Sequence, residues 1–170
     1  FIRDVEPGEI VVFTPEGIQS DRRHCGGKRA LCVFEYIYFA RPDSVIEGAS
    51  VHGARLRAGS FLARQSPVEA DIVIGVPDSG IDAAIGYSRE SGIPYGVGFL
   101  KNKYVGRSFI IPSREMRERA VRIKLNVIAE TVRGKRVVLI DDSIVRGTQL
   151  RETTEFLYHS GAKEVHVRDR

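Results

Sequence analysis

Val137-Val138-Leu139-Ile140-Asp141-Asp142-Ser143-Ile144-Val145-Arg146-Gly147-Thr148 is the stretch that decides how this chain folds. Val137–Ile140 is an unbroken aliphatic run, the composition of a strand buried on both faces. It runs straight into two adjacent carboxylates, then a turn of small residues, then a helix predicted over Thr148–Ser160. Such a turn leaves unpaired backbone N–H groups at the helix start, beside the positive end of the helix dipole, and the two together suit a phosphate. Gly147 lets the backbone approach closely, and Thr148 adds a hydroxyl donor. Asp141 and Asp142 would repel a phosphate, so they are expected to face sugar hydroxyls or a metal-bound sugar. By itself the stretch also fits a plain strand-to-helix turn with solvated aspartates, Asp142 capping the helix.

Outward from this segment, strand and helix alternate. Leu31–Phe39 is apolar and aromatic and reads as a strand. Ser50–Ser66 places Val51, Ala54, Ala58, Phe61 and Leu62 on one helical face. Ile72–Val76 is a short strand, Ser79–Ser91 a helix closed by Gly92, and Tyr95–Leu100 extended. Glu115–Val132 carries Met116, Ala120, Ile123 and Val127 at helical spacing and is closed by Gly134. Arg136–Ile140 and Glu164–Val167 complete the strands, with Gly161 closing the helix between them. Glycine after a helix suits a left-handed C-terminal cap. The alternation predicts an α/β fold with a mostly parallel twisted sheet flanked by helices. In such sheets ligands bind beyond the carboxyl ends of the strands.

The 170 residues allow one domain with a sizeable core and not two. Apolar residues at 42% and charged residues at 28% are ordinary for a soluble globular protein. No apolar run approaches the roughly 18 residues of a membrane helix. Phe1-Ile2-Arg3-Asp4 lacks the basic start of a signal peptide, and without an initiator Met the chain is expected to be a fragment or a processed product. A net charge of +4 favours anionic ligands without choosing among them. Two cysteines without a CxxC pair point to a reducing, cytoplasmic setting. His24, His52, His159 and His166 show no metal-ligand spacing and are assigned to surface or core.

The first thirty residues differ in character. Glu9–Thr14, Pro15–Gly17 and Ile18–Arg22 read as strand, turn and returning strand. Residues 23–29 are polar and glycine-containing, a linker composition. Residues 1–22 are therefore expected to be the tail of another domain, with 30–170 forming the main one; a hairpin belonging to that main domain is the alternative.

Two further segments suit anions. Gly75-Val76-Pro77-Asp78-Ser79 follows a strand and precedes a helix. Lys101, Lys103 and Arg107 surround Tyr104 and Gly106 without an apolar period, as in a mobile loop that could fold over a polyphosphate and exclude water. The dense charge of Arg114–Arg122 reads as a solvated helix face, not a nucleic-acid site.

Val137–Thr148 resembles the phosphoribosyl-pyrophosphate (PRPP) signature of type I phosphoribosyltransferases. Glu35–Ser44 (EYIYFARPDS), Gly75–Ser79 and Lys101–Ile110 (KNKYVGRSFI) are similar, in order and spacing, to the synthase domain of glutamine PRPP amidotransferases. The resemblance runs from about Arg3 to the end. It implies the type I phosphoribosyltransferase fold, a domain truncated at its C-terminus, and formation of phosphoribosylamine from PRPP and ammonia with release of pyrophosphate. It implies that Asp141 and Asp142 hold the ribose hydroxyls and Mg²⁺, that Ser143, Ile144, Val145, Arg146, Gly147 and Thr148 cradle the 5′-phosphate, and that Asp78 and Ser79 lie on the pyrophosphate side. Lys101, Tyr104 and Arg107 are then the catalytic loop residues. A homo-oligomer is expected, along with a glutaminase domain outside this chain.

The chain departs from the family at three points. Gly80 stands where some members carry a hydroxyl ligand, which leaves Ser79 as the nearest substitute. Gln149 replaces a threonine. No N-terminal cysteine nucleophile is present, so glutamine hydrolysis is not expected of this chain. Cys32 sits where some members bind an iron–sulfur cluster, which generally needs four thiolates; a 4Fe-4S cluster is therefore expected only in a full-length parent. Two other readings share the PRPP motif: a salvage phosphoribosyltransferase acting on a free base, and a non-enzymatic PRPP-sensing regulator.

Overall fold

A computed structural model describes residues 2–28, 30–102, 125–144 and 147–169, with the side chain of Thr148 left aside. The chain falls into two units, Phe1–Val33 and Phe34–Arg170.

In the first unit, β1 (Ile10–Thr14) and β2 (Gly17–Asp21) form the expected hairpin. They are antiparallel, with Phe13 opposite Ile18 and Thr14 opposite Gly17. Glu9 ties the entry to this hairpin. Its carboxylate accepts from both terminal nitrogens of Arg3, at 2.8 and 2.5 Å, from the backbone N–H of Glu6 and from the Ser20 hydroxyl. These donors hold its pKa far below the usual carboxylate range, Arg3 first among them.

The second unit is built on three parallel strands: β5 (Ile72–Gly75), β8 (Arg136–Asp141) and β9 (Glu164–Asp169), in the order β5-β8-β9. The preceding short strands β3 (Val45–Ile46) and β4 (Ala49–Ser50) pair with each other. Side chains alternate across the sheet with period two. Val73, Val138 and Ile140 pack on one face with Ala63, Ala83, Ala84 and Tyr87, carried by α1 (Val51–Gln65) and α2 (Gly80–Ser91). Ile72, Ile74, Val137 and Leu139 pack on the other with Phe99, Val132, Leu157 and Ala162. That second layer includes β6 (Phe99–Lys101), α3 (Ala129–Val132) and α4 (Thr148–His159). Helices on both faces explain why β5 and residues 137–140 of β8 are wholly buried and apolar.

α1 and α2 run parallel, since His52 meets Asp82 near their amino ends and Arg64 pairs with Glu90 at 2.7 Å near the other. The backbones touch: a Cβ on Gly59 would lie 1.9 Å from the Ala83 carbonyl, and one on Gly86 2.0 Å from that of Leu56. α2 ends at Gly92, whose φ of 75° is the predicted left-handed cap.

Three expectations are corrected. Residues 31–39 form no strand; Glu35–Phe39 is a π-helical turn. Its carbonyls at Tyr36 and Ala40 accept from the Arg55 guanidinium at 2.7 and 3.0 Å, a partner no strand would provide for them. The buried side of α1 is Val51, Arg55, Gly59 and Ala63, not the face through Phe61, which is 63% exposed. Close helix contact through glycine has displaced the bulkier stripe. Finally, the helix predicted over 115–132 is interrupted where it is described, because Leu125–Val127 is β7, antiparallel to β6.

Candidate functional site

β5 and β8 are neighbours and end side by side, Gly75 opposite Ile140. The Val76 N–H continues the pairing to the Ile140 carbonyl at 2.9 Å. The turns after both strands therefore open at one place, at the carboxyl edge of the sheet.

The first turn is Val76–Ser79, with a cis Pro77–Asp78 peptide bond. It leads directly into α2, whose first residue, Gly80, donates to the Val76 carbonyl at 2.9 Å. Gly80 has no room for a side chain. A Cβ there would lie 2.6 Å from the Ile140 carbonyl oxygen, so the start of α2 rests on the end of β8. A serine or threonine in place of Gly80 would press on that carbonyl, and Ser79 presents the neighbouring hydroxyl.

The second turn carries the paired acids, which are not equivalent. Asp142 is 7% exposed, and each of its oxygens accepts a serine hydroxyl: Oδ2 from Ser79 across the gap between the turns, Oδ1 from Ser143 at 2.8 Å. Asp141 is partly exposed, and its Oδ1 accepts the Asp142 backbone N–H at 2.9 Å. Ile144 is exposed. Gly147 takes φ 69° and supplies the N-cap of α4 without a side-chain cap, so Asp142 does not cap that helix. The Gly147 carbonyl accepts the Arg151 N–H at 2.9 Å, the first intrahelical bond of α4. Thr148 is the first residue of α4.

Lys101 ends β6 and forms an ion pair with Asp78. The structure thus brings together Asp78, Ser79, Lys101, Asp141, Asp142 and Ser143 from three strand ends, with Gly147 closing the second turn. Tyr104 and Arg107, like Val145 and Arg146, lie outside the described residues, as does Lys103.

Two residues beside these turns escaped the sequence reading. Asp82, in the first turn of α2, is 8% exposed, and His52, in the first turn of α1, places Nδ1 3.0 Å from its Oδ1. An aspartate three positions after Ser79 was the available signal, but the partner on α1 becomes visible only once the helices are known to be parallel.

Acidic and hydroxyl-bearing turns meeting at the end of a parallel sheet define a phosphoribosyltransferase-type unit, and comparison with solved structures agrees. The structure described as the allosteric regulatory enzyme of purine biosynthesis matches with a TM-score of 0.82 at 54% identity, over 99% of this chain and 36% of that one. Glutamine PRPP amidotransferase from Bacillus subtilis, complexed with ADP and GMP, matches with a TM-score of 0.81 at 54% identity, over 99% of this chain and 37% of that one. Among curated sequences, the amidophosphoribosyltransferases of Archaeoglobus fulgidus and Bacillus subtilis are 56% and 54% identical over 168 residues, which is 99% of this chain. Over nearly its whole length the chain is similar to a segment of these amidophosphoribosyltransferases. It spans 37% and 35% of the length of those two relatives. No family model matches.

Proposed function

We propose that this chain is the synthase segment of an amidophosphoribosyltransferase, joining ammonia to C1 of PRPP as pyrophosphate leaves, the opening step of purine nucleotide synthesis. One observation carries this reading. The acidic turn after β8 and the hydroxyl-bearing turn after β5 meet through Ser79 and Asp142, as a sugar-binding end and a leaving-group end of one site would have to.

The chemistry asks for little covalent help. As the C1–O bond breaks, positive charge grows on the ribose ring and negative charge on the leaving pyrophosphate. Lys101 stands ready as the cation at the leaving-group end, held over the first turn by Asp78. Asp141 and Asp142 are acceptor-only groups suited to ribose hydroxyls, and the N–H groups of the turn before α4 suit the 5′-phosphate. Ammonia brings its own lone pair, forms the C–N bond and loses one proton to solvent, so orientation of the sugar is the main requirement. Lys103, Tyr104 and Arg107 are assigned to cover the pyrophosphate, and Val145, Arg146 and Thr148 to the phosphate turn.

The donor set fits Mg²⁺, which keeps several waters and takes one or two carboxylates together with substrate phosphates. Asp141, Asp142 and the Ser79 hydroxyl would hold it, and when bound it would neutralise the departing pyrophosphate. A 4Fe-4S cluster does not fit this chain alone. Cys25 and Cys32 are its two thiols, Cys32 is exposed, and among the described residues no three metal-ligating side chains gather. In a longer parent Cys32 is proposed as one ligand of such a cluster.

Residues 1–22 are read as the tail of a glutaminase-like domain, 23–29 as a linker and 30–170 as the synthase domain. Ammonia would come from glutamine in the whole enzyme, assembled as a homo-oligomer in the cytoplasm. No helix among the described residues is long and apolar enough to cross a membrane.

The test is a product assay with Mg²⁺ and PRPP, offering ammonium chloride against purine and pyrimidine bases. Pyrophosphate release with ammonium alone is expected; release only with a free base would make the chain a salvage enzyme. Calorimetric titration of PRPP should show binding that Asp141→Asn and Asp142→Asn each weaken. Equal affinity in all three proteins would remove the assignment.

A further inference from the structure

At the edge of this site lies a pair of side chains that the reaction above does not use. Asp82 Oδ1 is 3.0 Å from Nδ1 of His52, while its Oδ2 is buried with no hydrogen-bond partner. A carboxylate enclosed in this way is costly unless something compensates it, and a buried polar atom left unsatisfied calls for a reason.

Its position supplies one. The middles of α1 and α2 are locked through Gly59 and Gly86, so the two helices move as a pair. His52 and Asp82 add a polar link between their first turns. Asp82 is the third residue of α2, directly after the turn that carries Asp78 and Ser79. Gly80, between them, already rests on the Ile140 carbonyl and has no slack. Tyr95 bridges to Val73 and leads to the strand that ends at Lys101. Its hydroxyl pKa is raised by burial and, next, by the charge of Asp82. On the other side, the His52 backbone N–H donates to the Pro42 carbonyl at 3.1 Å, between Arg41 and Asp43, which pair with each other at 2.9 Å. The Asp82 carboxylate thus links the first turn of α1 to the first turn of α2, just after the turn that carries Asp78 and Ser79.

We propose that His52 and Asp82 are positioning residues that fix the first turn of α2, and through it Asp78 and Ser79, for recognition of the pyrophosphate group. This rests on the reading of the site given above. The dyad bears directly on that end, while the acid pair at the end of β8 is linked to it through the Ser79–Asp142 hydrogen bond.

The experiment titrates Mg²⁺-pyrophosphate and, separately, ribose 5-phosphate into the wild-type chain, His52→Ala and His52→Asn, with Tm measured alongside. The Asn amide nitrogen takes the place of Nδ1. His52→Ala is expected to lose about tenfold in pyrophosphate affinity, the scale of one charge-assisted hydrogen bond, while ribose 5-phosphate binds as before. His52→Asn is expected to recover most of the loss. Unchanged pyrophosphate affinity in His52→Ala overturns the inference. So does a parallel loss of both ligands that tracks a fall in Tm, which would make the dyad ordinary packing. Wild-type protein that binds neither ligand would overturn the PRPP-site reading itself, and this inference with it.

Discussion

The Ser79 hydroxyl donates to Asp142 Oδ2 and so joins the turn after β5 to the turn after β8. With Ser143 on Oδ1, both oxygens of a carboxylate that is almost wholly buried are occupied from within the protein. Asp142 therefore has a structural role beside the ligand role proposed for it. Asp142→Ala should leave two hydroxyls without their acceptor and cost about 1–3 kcal/mol, seen as a drop in Tm without ligand. Asp141→Ala, at a partly exposed position, should lower PRPP affinity with a much smaller change in Tm. Matching Tm losses in the two variants would contradict the distinction.

Gly80 is required by contact and not by backbone conformation. Gly80→Ser should push the start of α2 off the Ile140 carbonyl, destabilise by about 1–3 kcal/mol, and weaken PRPP binding. If the serine instead tightened Mg²⁺-dependent binding at unchanged Tm, the hydroxyl of the relatives would be tolerated here after all.

The glycines between α1 and α2 admit no larger residue. Gly59→Ala and Gly86→Ala should each destabilise by about 2 kcal/mol or more, since the clash is with backbone that cannot rotate away. Chemical denaturation would show the loss. A midpoint equal to wild type would mean that the helices separate more easily than their contact suggests.

Lys101 and Asp78 are partly exposed, with side-chain exposures of 37% and 69%. Exposed ion pairs contribute little to folding. Lys101→Ala should leave Tm unchanged while weakening pyrophosphate binding, and the weakening should shrink as salt is raised. A salt-independent effect would argue against an electrostatic role.

Asp71 is held at a pKa of about 2 by the Arg136 guanidinium and then by the Arg136 backbone N–H. The unfolded chain keeps the ordinary carboxylate value, about 3.9, so between these values the unfolded state binds more protons. The stability Asp71 contributes is complete above that range and is lost as pH falls toward 2. The Tm gap between wild type and Asp71→Asn should be widest near neutrality and narrow steadily between about pH 4 and 2. A constant gap would assign the effect to packing.

Local signals reached far in this chain. Val137–Ile140 read as a buried strand and is one, within Arg136–Asp141. Ser79–Ser91 read as a helix and forms Gly80–Ser91, closed by Gly92. Both rest on short-range rules: an aliphatic run, and a residue without a Cβ at a left-handed cap. What was not legible depends on distant partners. The aromatic run before Ala40 satisfies every local requirement of a strand, yet turns helically, with a guanidinium nineteen positions along donating to the Tyr36 carbonyl. The unequal pair Asp141 and Asp142 looks symmetric in sequence, and only Ser79, from another strand end, separates the buried acid from the accessible one. His52 looked incidental until parallel helices set it beside Asp82.

Arg55, 3% exposed, closes the π-helical turn by donating to its main-chain carbonyls. Anchors made of carboxylates, such as Asp71, let go in acid; main-chain carbonyl acceptors have no such proton to take up. Acid should therefore fray the sheet at its amino edge first and spare the aromatic turn, which gives the molecule a defined order of surrender.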